Sequence, residues 1–406
     1  MGPVIPEQGS RDSVPPRIAY VLGTTAGGTG PHVAMLAQGC AARGMTVRVF
    51  GPVETGRRYF PGQQEPAAGR TGGGPAQPPG FTAVAIGDRP RPGRDLAAVL
   101  RLRRLLRDWS PDVVHAHGLR AGAFAALAGC PGALVVTVHN APPAGAPGRV
   151  IHAALERLTA RRADAVTWVS SDLGARMRRA GARDGGRAVV AAPAVPAAVA
   201  HQVAAARDTL GEVGRPAVFA AGRLTAQKGF GVLIDAATRW QGRDPAPVLA
   251  IAGEGPLAGE LGAQARAAGV PVRFLGRRAD VPALMAAADV VVVPSRWEGQ
   301  PLVLQEALRA GRPVVASRAG GIPELTGEDG ALLVPPGDAA ALAAAVLTIL
   351  DDRAAAARLV AAATERARGL PDAGAAVDSV AALYGRLRGV TASRINQKAR
   401  NRSQHA

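Results

Sequence analysis

The sequence predicts an α/β chain built as two doubly wound units that face each other across a cleft. Three observations predict it. The length of 406 residues exceeds what one ordinary hydrophobic core serves and suits two. From Arg17 onward, short apolar β-rich runs alternate with Ala/Leu/Arg-rich helical stretches, the pattern of parallel strands joined by covering helices. That alternation lapses in a Pro/Ala-rich passage, Pro193 to Arg215, and then begins again.

In the first unit, residues 17–200, the expected strands are Ile18–Leu22, Thr46–Phe50, Ala83–Ile86, Val113–His115, Leu134–Val138, Ala165–Val169 and Ala188–Ala191. The helices between them are Pro31–Arg43, Arg94–Trp109, Ala121–Ala128, Val150–Arg162 and Leu173–Ala180. In the second unit, residues 201–370, strands Ala217–Ala220, Val248–Ile251, Val272–Leu275, Val290–Val293 and Val314–Ala316 alternate with helices Gly231–Arg239, Pro256–Ala268, Val281–Ala288 and Pro301–Ala310. A helical region from Asp338 to about Arg388 follows, broken near Gly369–Gly374; residues 371–390 are expected to pack back on the first unit. Residues 1–16 read as a disordered lead-in and 391–406, basic with no acidic residue, as a disordered tail. The Gly/Pro/Gln-rich stretch Glu54–Gly80 lacks apolar periodicity and reads as a long mobile loop.

A net charge of +17 normally points to nucleic acid or an anionic membrane. Here 46 of the 48 basic residues are arginine in a chain crowded with Ala, Gly and Pro, a bias that fits a GC-rich coding sequence. Aromatic residues make up only 3%, which leaves few stacking platforms and argues against nucleic acid. The charge is uneven, +12 over residues 1–200 against +5 over 201–406. The helix Arg94–Trp109 carries Arg94, Arg101, Arg103, Arg104 and Arg107 around a leucine face; it suits an anionic membrane surface, or a sheet covered in the ordinary way. Cys40 and Cys130 are the only cysteines, so neither a disulfide framework nor a zinc pattern is expected, and a cytoplasmic chain is the default. No apolar stretch reads as a membrane span.

The stretch carrying most chemistry is PSRWEGQPLVLQEALRAGRPVVASRAGGIPEL, Pro294 to Leu325, after the strand Val290–Val293. Glu298 lies in a loop before Pro301, which opens a helix, and Glu306 lies on that helix. Eight residues of helix would separate the two carboxylates by roughly 12 Å, comparable to the distance between the sugar and ribose ends of a nucleotide sugar. Free amides around Gln300 to Val303 form an anion site, and Gly299 lets a ligand approach the backbone. A second motif, Gly222-Arg223-Leu224-Thr225-Ala226-Gln227-Lys228-Gly229, follows the strand Ala217–Ala220; Lys228 is the only lysine outside the tail. A third is Gly27-Gly28-Thr29-Gly30 before the helix that opens at Pro31, a turn whose amides can meet an anion. It fits neither the dinucleotide nor the Walker pattern. His115, His117 and His139 end two strands, and no Cys or carboxylate shares their spacing as a metal set would require.

Together these motifs resemble those of the family-4 retaining glycosyltransferases, enzymes of the GT-B fold with two Rossmann-like domains. The resemblance runs from Arg17 to about Arg388 and is strongest in the second half. It implies a UDP- or GDP-sugar donor, an acceptor it does not identify, no cofactor and no metal. It assigns Glu298 to hydroxyls of the transferred sugar, Glu306 to the ribose, and Arg223 and Lys228 to the diphosphate. It further places Gly28, Gly30, Gly299, Leu302, Val303, Glu254 of IAGEGPL and Arg277 of LGRRADV around the donor, His139 against the donor sugar and His117 on the acceptor side; His115, which it does not assign, reads as buried structure. The catalytic set it implies is His139, Glu298, Arg223 and Lys228. The nearest rivals are a nucleotide-sugar epimerase of the same architecture, against which the Glu298/Glu306 stretch speaks, and a non-catalytic basic protein that binds membranes or nucleic acid.

Overall fold

The computed structural model describes residues 15–24, 27–63, 78–141, 146–192, 198–211 and 214–403, with the side chains of 146–147 and 390–403 left out of the description. The first half runs β1 (Arg17–Leu22), α1 (Thr29–Ala42), β2 (Thr46–Gly51), α2 (Val53–Tyr59), β3 (Gly80–Ala83), α3 (Pro92–Trp109), β4 (Val113–His117), α4 (Leu119–Ala128), β5 (Ala133–Val138), α5 (Ala146–Arg162), β6 (Ala165–Trp168), α6 (Ser171–Ala180) and β7 (Gly185–Arg187). The second runs α7 (Ala200–Leu210), β8 (Ala217–Ala221), α8 (Phe230–Ala237), β9 (Val248–Ala252), α9 (Ala258–Ala267), β10 (Val272–Gly276), α10 (Val281–Ala287), β11 (Val290–Val293), α11 (Leu302–Arg309), β12 (Val314–Ser317), α12 (Ile322–Thr326) and β13 (Leu332–Val334). Three helices close the chain: α13 (Ala339–Asp351), α14 (Arg353–Arg368) and α15 (Ala373–Ser403).

Two parallel sheets result, ordered β3-β2-β1-β4-β5-β6-β7 and β10-β9-β8-β11-β12-β13. Helices cover both faces, so the central strands are apolar throughout: β1 reads RIAYVL and β11 four valines. Alternation then sorts side chains by face. Ile18, Tyr20 and Leu22 meet Val33 and Leu36 of α1, while Ala19 and Val21 meet Leu102 and Leu106 of α3. The second sheet repeats this, with Val218 and Ala220 on one side and Ala217 and Phe219 on the other. In each sheet the order reverses between the first and fourth strands, β1/β4 and β8/β11. Such a switch point opens a crevice beyond the carboxyl ends of the strands.

The last helix returns to the first half, where Ala376, Val377, Leu383, Tyr384 and Leu387 of α15 join the core on the α1 face. It continues to Ser403, past the Thr391 boundary at which the sequence led us to expect a disordered tail. No glycine follows Gly389 and no proline follows Pro371, so nothing in the chain interrupts the helix. Inside the expected loop Glu54–Gly80, the chain forms α2 over Val53–Tyr59; Thr55 is buried and Gly56 packs against Phe81, which supplies the packing that the local composition hid. The Pro/Ala-rich passage likewise contains α7, which packs on α10. Residues 1–14, 64–77, 193–197, 212–213 and 404–406 of these segments lie outside the described residues. Strands β3 and β7 pair upstream of the expected Ala83–Ile86 and Ala188–Ala191. Val84, Ile86, Val190 and Ala191, which set those expectations, are buried in the connections beyond the ladders.

Candidate active site

The carboxyl ends of the two switch points carry the motif residues. At the second sheet, the chain leaving β8 makes a tight turn that ends at Lys228, and the chain leaving β11 passes Ser295 and Glu298 before entering α11. The Lys228 ammonium donates to Glu298 Oε1, and Ser295 Oγ donates to the same oxygen at 2.8 Å. Glu298 is 6% exposed. A carboxylate buried to that depth costs several kcal/mol unless paired, and this pair supplies the compensation. Both contacts fall on Oε1; among the described residues none reaches Oε2. The ammonium has three protons, so its other two remain for a further acceptor.

The backbone around this pair is held by its neighbours. Arg296 N donates to Gln227 O at 2.8 Å and Gln227 Nε2 to Trp297 O at 3.0 Å, which ties the two loops together. Gly321 N donates to Glu298 O at 2.9 Å. A Cβ on Gly299 would lie 2.4 Å from Val169 Cγ2 and 3.0 Å from His139 O, so only glycine lets the loop sit against the first half.

Pro301 occupies the cap position and α11 begins at Leu302, one residue later than the sequence suggests. Leu302 packs beside Val169 and Leu173 of the first half, and its side chain faces Gly28, where a Cβ would lie 3.1 Å from Leu302 Cδ1. Val303 sits in the same first turn. Glu306, one turn further on, is half-buried; burial raises its carboxyl above the ordinary glutamate value, and Arg309 partly opposes the shift. Arg223, Glu254 and Arg277 stand exposed after β8, β9 and β10, and no described side chain pairs with Arg223. Leu224 N donates to Glu254 O at 2.9 Å, which joins two of these three loops. Gly30 has a packing role: a Cβ there would lie 2.3 Å from the Tyr59 ring of α2.

The switch point of the first sheet holds imidazoles. His117 Nδ1 and His139 Nε2 share a hydrogen bond at 3.0 Å, and His32 in the first turn of α1 meets both rings edge-on. His115 lies deeper, bonded at 2.6 Å to Tyr384 Oη of α15 and at 2.6 Å to Thr137 Oγ1. Burial pushes His32 down to about 4. Burial and the neighbouring imidazoles push His115 and His139 down to about 3, and the same causes hold His117 low. All four are therefore neutral near pH 7, and each ring nitrogen pair offers one donor and one acceptor. Among the described residues no three His, Cys, Asp or Glu side chains form a group able to hold a metal ion.

Contacts between the halves that the motifs did not signal join the two crevices. Gln305, fully buried on α11, accepts from Ala192 N and donates to Val190 O, both at 2.9 Å. Trp297 Nε1 donates to Asp172 at 3.1 Å; Glu324 accepts from Ser171 N at 2.8 Å and pairs with Arg187 at 2.9 Å. Each neutral bond contributes on the order of 1 kcal/mol. They connect residues more than 100 positions apart, so only their polar character at a motif edge could have hinted at them.

Residues 26–198 match the family described as Glycosyltransferase Family 4, and residues 215–352 match Glycosyl transferases group 1. The 2-deoxystreptamine N-acetyl-D-glucosaminyltransferase of Streptomyces fradiae is 33% identical over 274 residues, 60% of this chain. That match spans just 64% of the Streptomyces enzyme's length. The glycogen synthase of Mycobacterium tuberculosis is 33% identical over 338 residues, 76% of this chain and 79% of that protein. Among solved structures, Anabaena Alr3699/HepE in complex with UDP-glucose superposes with a TM-score of 0.73 at 22% identity, covering 91% of this chain and 100% of that one. Sucrose-phosphate synthase from Thermosynechococcus elongatus gives 0.73 at 23%, covering 92% and 100%. These two likenesses show the two-domain GT-B fold.

Proposed function

The chain belongs to glycosyltransferase family 4, and from that premise we propose that it transfers a sugar from a UDP- or GDP-sugar to an acceptor hydroxyl or amine with retention of configuration. The observation that carries the reading is Glu298: its Oε1 is saturated by Lys228 and Ser295, and its Oε2 is left to accept from a hydroxyl of the transferred sugar. The remaining protons of Lys228, the guanidinium of Arg223 and the first amides of α11 provide the counter-charge for a departing diphosphate from the protein itself, without a metal. Glu306 accepts from the ribose, and Glu254 and Arg277 flank the nucleotide. His139, neutral and beside Gly299, hydrogen-bonds the donor sugar as donor or acceptor and carries no charge. In this reading the leaving diphosphate oxygen takes the acceptor's proton on the face from which the sugar is attacked. The structure of Alr3699/HepE with UDP-glucose and a GDP-mannose-dependent mannosyltransferase among the relatives support the donor class.

The test is calorimetry of UDP and GDP on the whole protein, followed by turnover of the corresponding sugars. Binding of neither nucleotide would overturn the reading. A peripheral contact with an anionic membrane is a second reading, favoured by one observation: Leu96 and Leu100, exposed at 62% and 51%, lie on α3 among its arginines. No described helix is long and apolar enough to cross a membrane.

A further inference from the structure

Beside the His117–His139 pair the first half carries a row of buried polar groups that the proposed transfer does not use. Cys40 of α1, Tyr20 of β1, Tyr384 of α15, His115 of β4, Thr137 of β5 and Thr167 of β6 bond one to the next, at 3.5, 3.0, 2.6, 2.6 and 2.6 Å. None of the six is more than 9% exposed. Tyr384 is the member supplied by the last helix. A Cβ on Gly39 would lie 2.4 Å from Val377 Cγ2, two turns before Tyr384, so α15 is seated closely on α1.

Each hydroxyl or thiol has one proton to give, and a neutral imidazole gives from one nitrogen and accepts at the other, so the row runs in a single sense. Tyr384 Oη donates to Tyr20 Oη. It therefore accepts from His115, whose proton lies on Nδ1; His115 Nε2 accepts from Thr137 Oγ1, and Thr137 accepts from Thr167. At the far end Tyr20 donates to Cys40 Sγ. The opposite sense would leave the Thr167 hydroxyl proton with no acceptor among the described residues, whereas this one leaves only a weakly polar S–H proton. Burial keeps both phenols and the thiol protonated, and His115 uncharged, near neutral pH, so no titration interrupts the row there.

The His115 ring so held lies 4.2 Å, centroid to centroid, from that of His117 and is tilted 30° to it; Tyr20 meets the two rings at 5.6 and 5.7 Å. His117 Nδ1 in turn shares the 3.0 Å bond with His139 Nε2. We infer that Tyr384 is a positioning residue: by accepting the Nδ1 proton of His115 it locks that ring as the platform on which His117, and through it His139, is set. The last helix thereby contributes to the transfer centre by way of His115. The consequence for turnover rests on the proposed glycosyl transfer, whereas the tautomer and the ring positions do not.

Ring ¹⁵N NMR of the whole protein tests the tautomer, and release of nucleotide from UDP-glucose and GDP-mannose, with water as acceptor, tests turnover. We expect His115 to be protonated at Nδ1 in the unaltered protein. Tyr384→Phe keeps the aromatic ring and removes the acceptor, so the proton moves to Nε2, which then donates to Thr137, and the His117 and His139 ring signals shift with it. Thr137→Val removes the other partner; it leaves the proton on Nδ1 and moves the His117 and His139 signals less. For whichever donor is turned over, Tyr384→Phe should lower kcat at least fivefold with KM within twofold, and Thr137→Val should keep kcat within twofold. UDP and GDP affinities, by calorimetry, stay within twofold in both variants. The inference is overturned by a proton on Nε2 in the unaltered protein, a result that requires no variant, by unmoved His117 and His139 signals or an unchanged kcat in Tyr384→Phe, or by equal losses in the two variants. Should neither nucleotide bind, the donor reading fails, while the ring signals still decide the role of Tyr384.

Discussion

The two halves share one strand order and differ at the same place in it. Where the first sheet reverses, the chain puts His32, His117 and His139, all neutral by burial; where the second reverses, it puts the Lys228–Glu298 pair with Arg223 exposed nearby. The backbone of such a crevice is generic and the side chains decide what it takes. Charges that can be balanced suit a diphosphate and a sugar hydroxyl. Neutral rings suit hydroxyls alone, with no cost for moving an unpaired charge out of water. The comparison teaches that a duplicated architecture can set its two crevices apart by polarity without changing its topology.

The sharpest way to break this division is Glu298→Gln. The amide oxygen still accepts from Lys228 and Ser295, so the fold persists, but the atom in place of Oε2 no longer accepts from a sugar hydroxyl. Turnover should fall on the order of 100-fold or more, with nucleotide affinity changed less than threefold; steady-state kinetics beside calorimetry decides it. Abolished nucleotide binding would show that Glu298 holds the nucleotide instead.

Acid should distinguish the halves by stability. A histidine whose folded pKa is lowered binds fewer protons in the native state than in the unfolded chain, so stability is intact above the unfolded value near 6.5 and is lost as pH falls towards the folded one. For His32, pushed down to about 4, this amounts to roughly 3 kcal/mol by pH 4. Thermal melts from pH 7.5 to 4.5 should show a falling Tm, with His32→Gln flattening the slope. An unchanged slope in that variant would contradict the neutral-imidazole account.

Glu306→Gln should weaken nucleotide binding about ten- to a hundredfold, the loss of a charged hydrogen bond of about 1.5–3 kcal/mol. Because burial raises the Glu306 carboxyl, wild-type affinity should begin to weaken on acidification above the ordinary glutamate range, and the variant's should not. Calorimetry across pH 4.5–7.5 reads both. The smallest effect concerns the outer face: flotation with anionic vesicles should weaken with salt and with Leu96→Asp/Leu100→Asp, since exposed charges are screened within about 8 Å at physiological ionic strength. Equal binding to neutral vesicles would remove the electrostatic account.

Much of the second half is legible in the sequence because its signals are local. Glu298, Gly299 and Glu306 fall on one strand-loop-helix segment, and Lys228 stands out as a lysine among arginines. The first half is less legible. Gly30 reads as a phosphate turn, yet the Tyr59 ring occupies the space its missing side chain leaves. Helix α2 is hidden because its stability comes from Phe81, more than 20 residues away, while its own residues include glycine and two exposed arginines. His32 carries no signal of its own in the sequence, although GPHV places it one turn into α1; its unpartnered nitrogen is a property of packing, which spacing does not encode. The same holds for Gln305, whose two bonds to the first half depend on how the halves meet.

The central claim, that the donor diphosphate is held by the charges of the second crevice and not by the imidazoles of the first, is tested most directly by calorimetry of UDP and GDP on Lys228→Gln and His117→Gln in the whole protein. The account predicts that Lys228→Gln weakens whichever nucleotide binds by about tenfold or more, as loss of a charge-assisted contact requires, while His117→Gln changes it less than twofold. Loss of nucleotide binding in His117→Gln with normal binding in Lys228→Gln would contradict it.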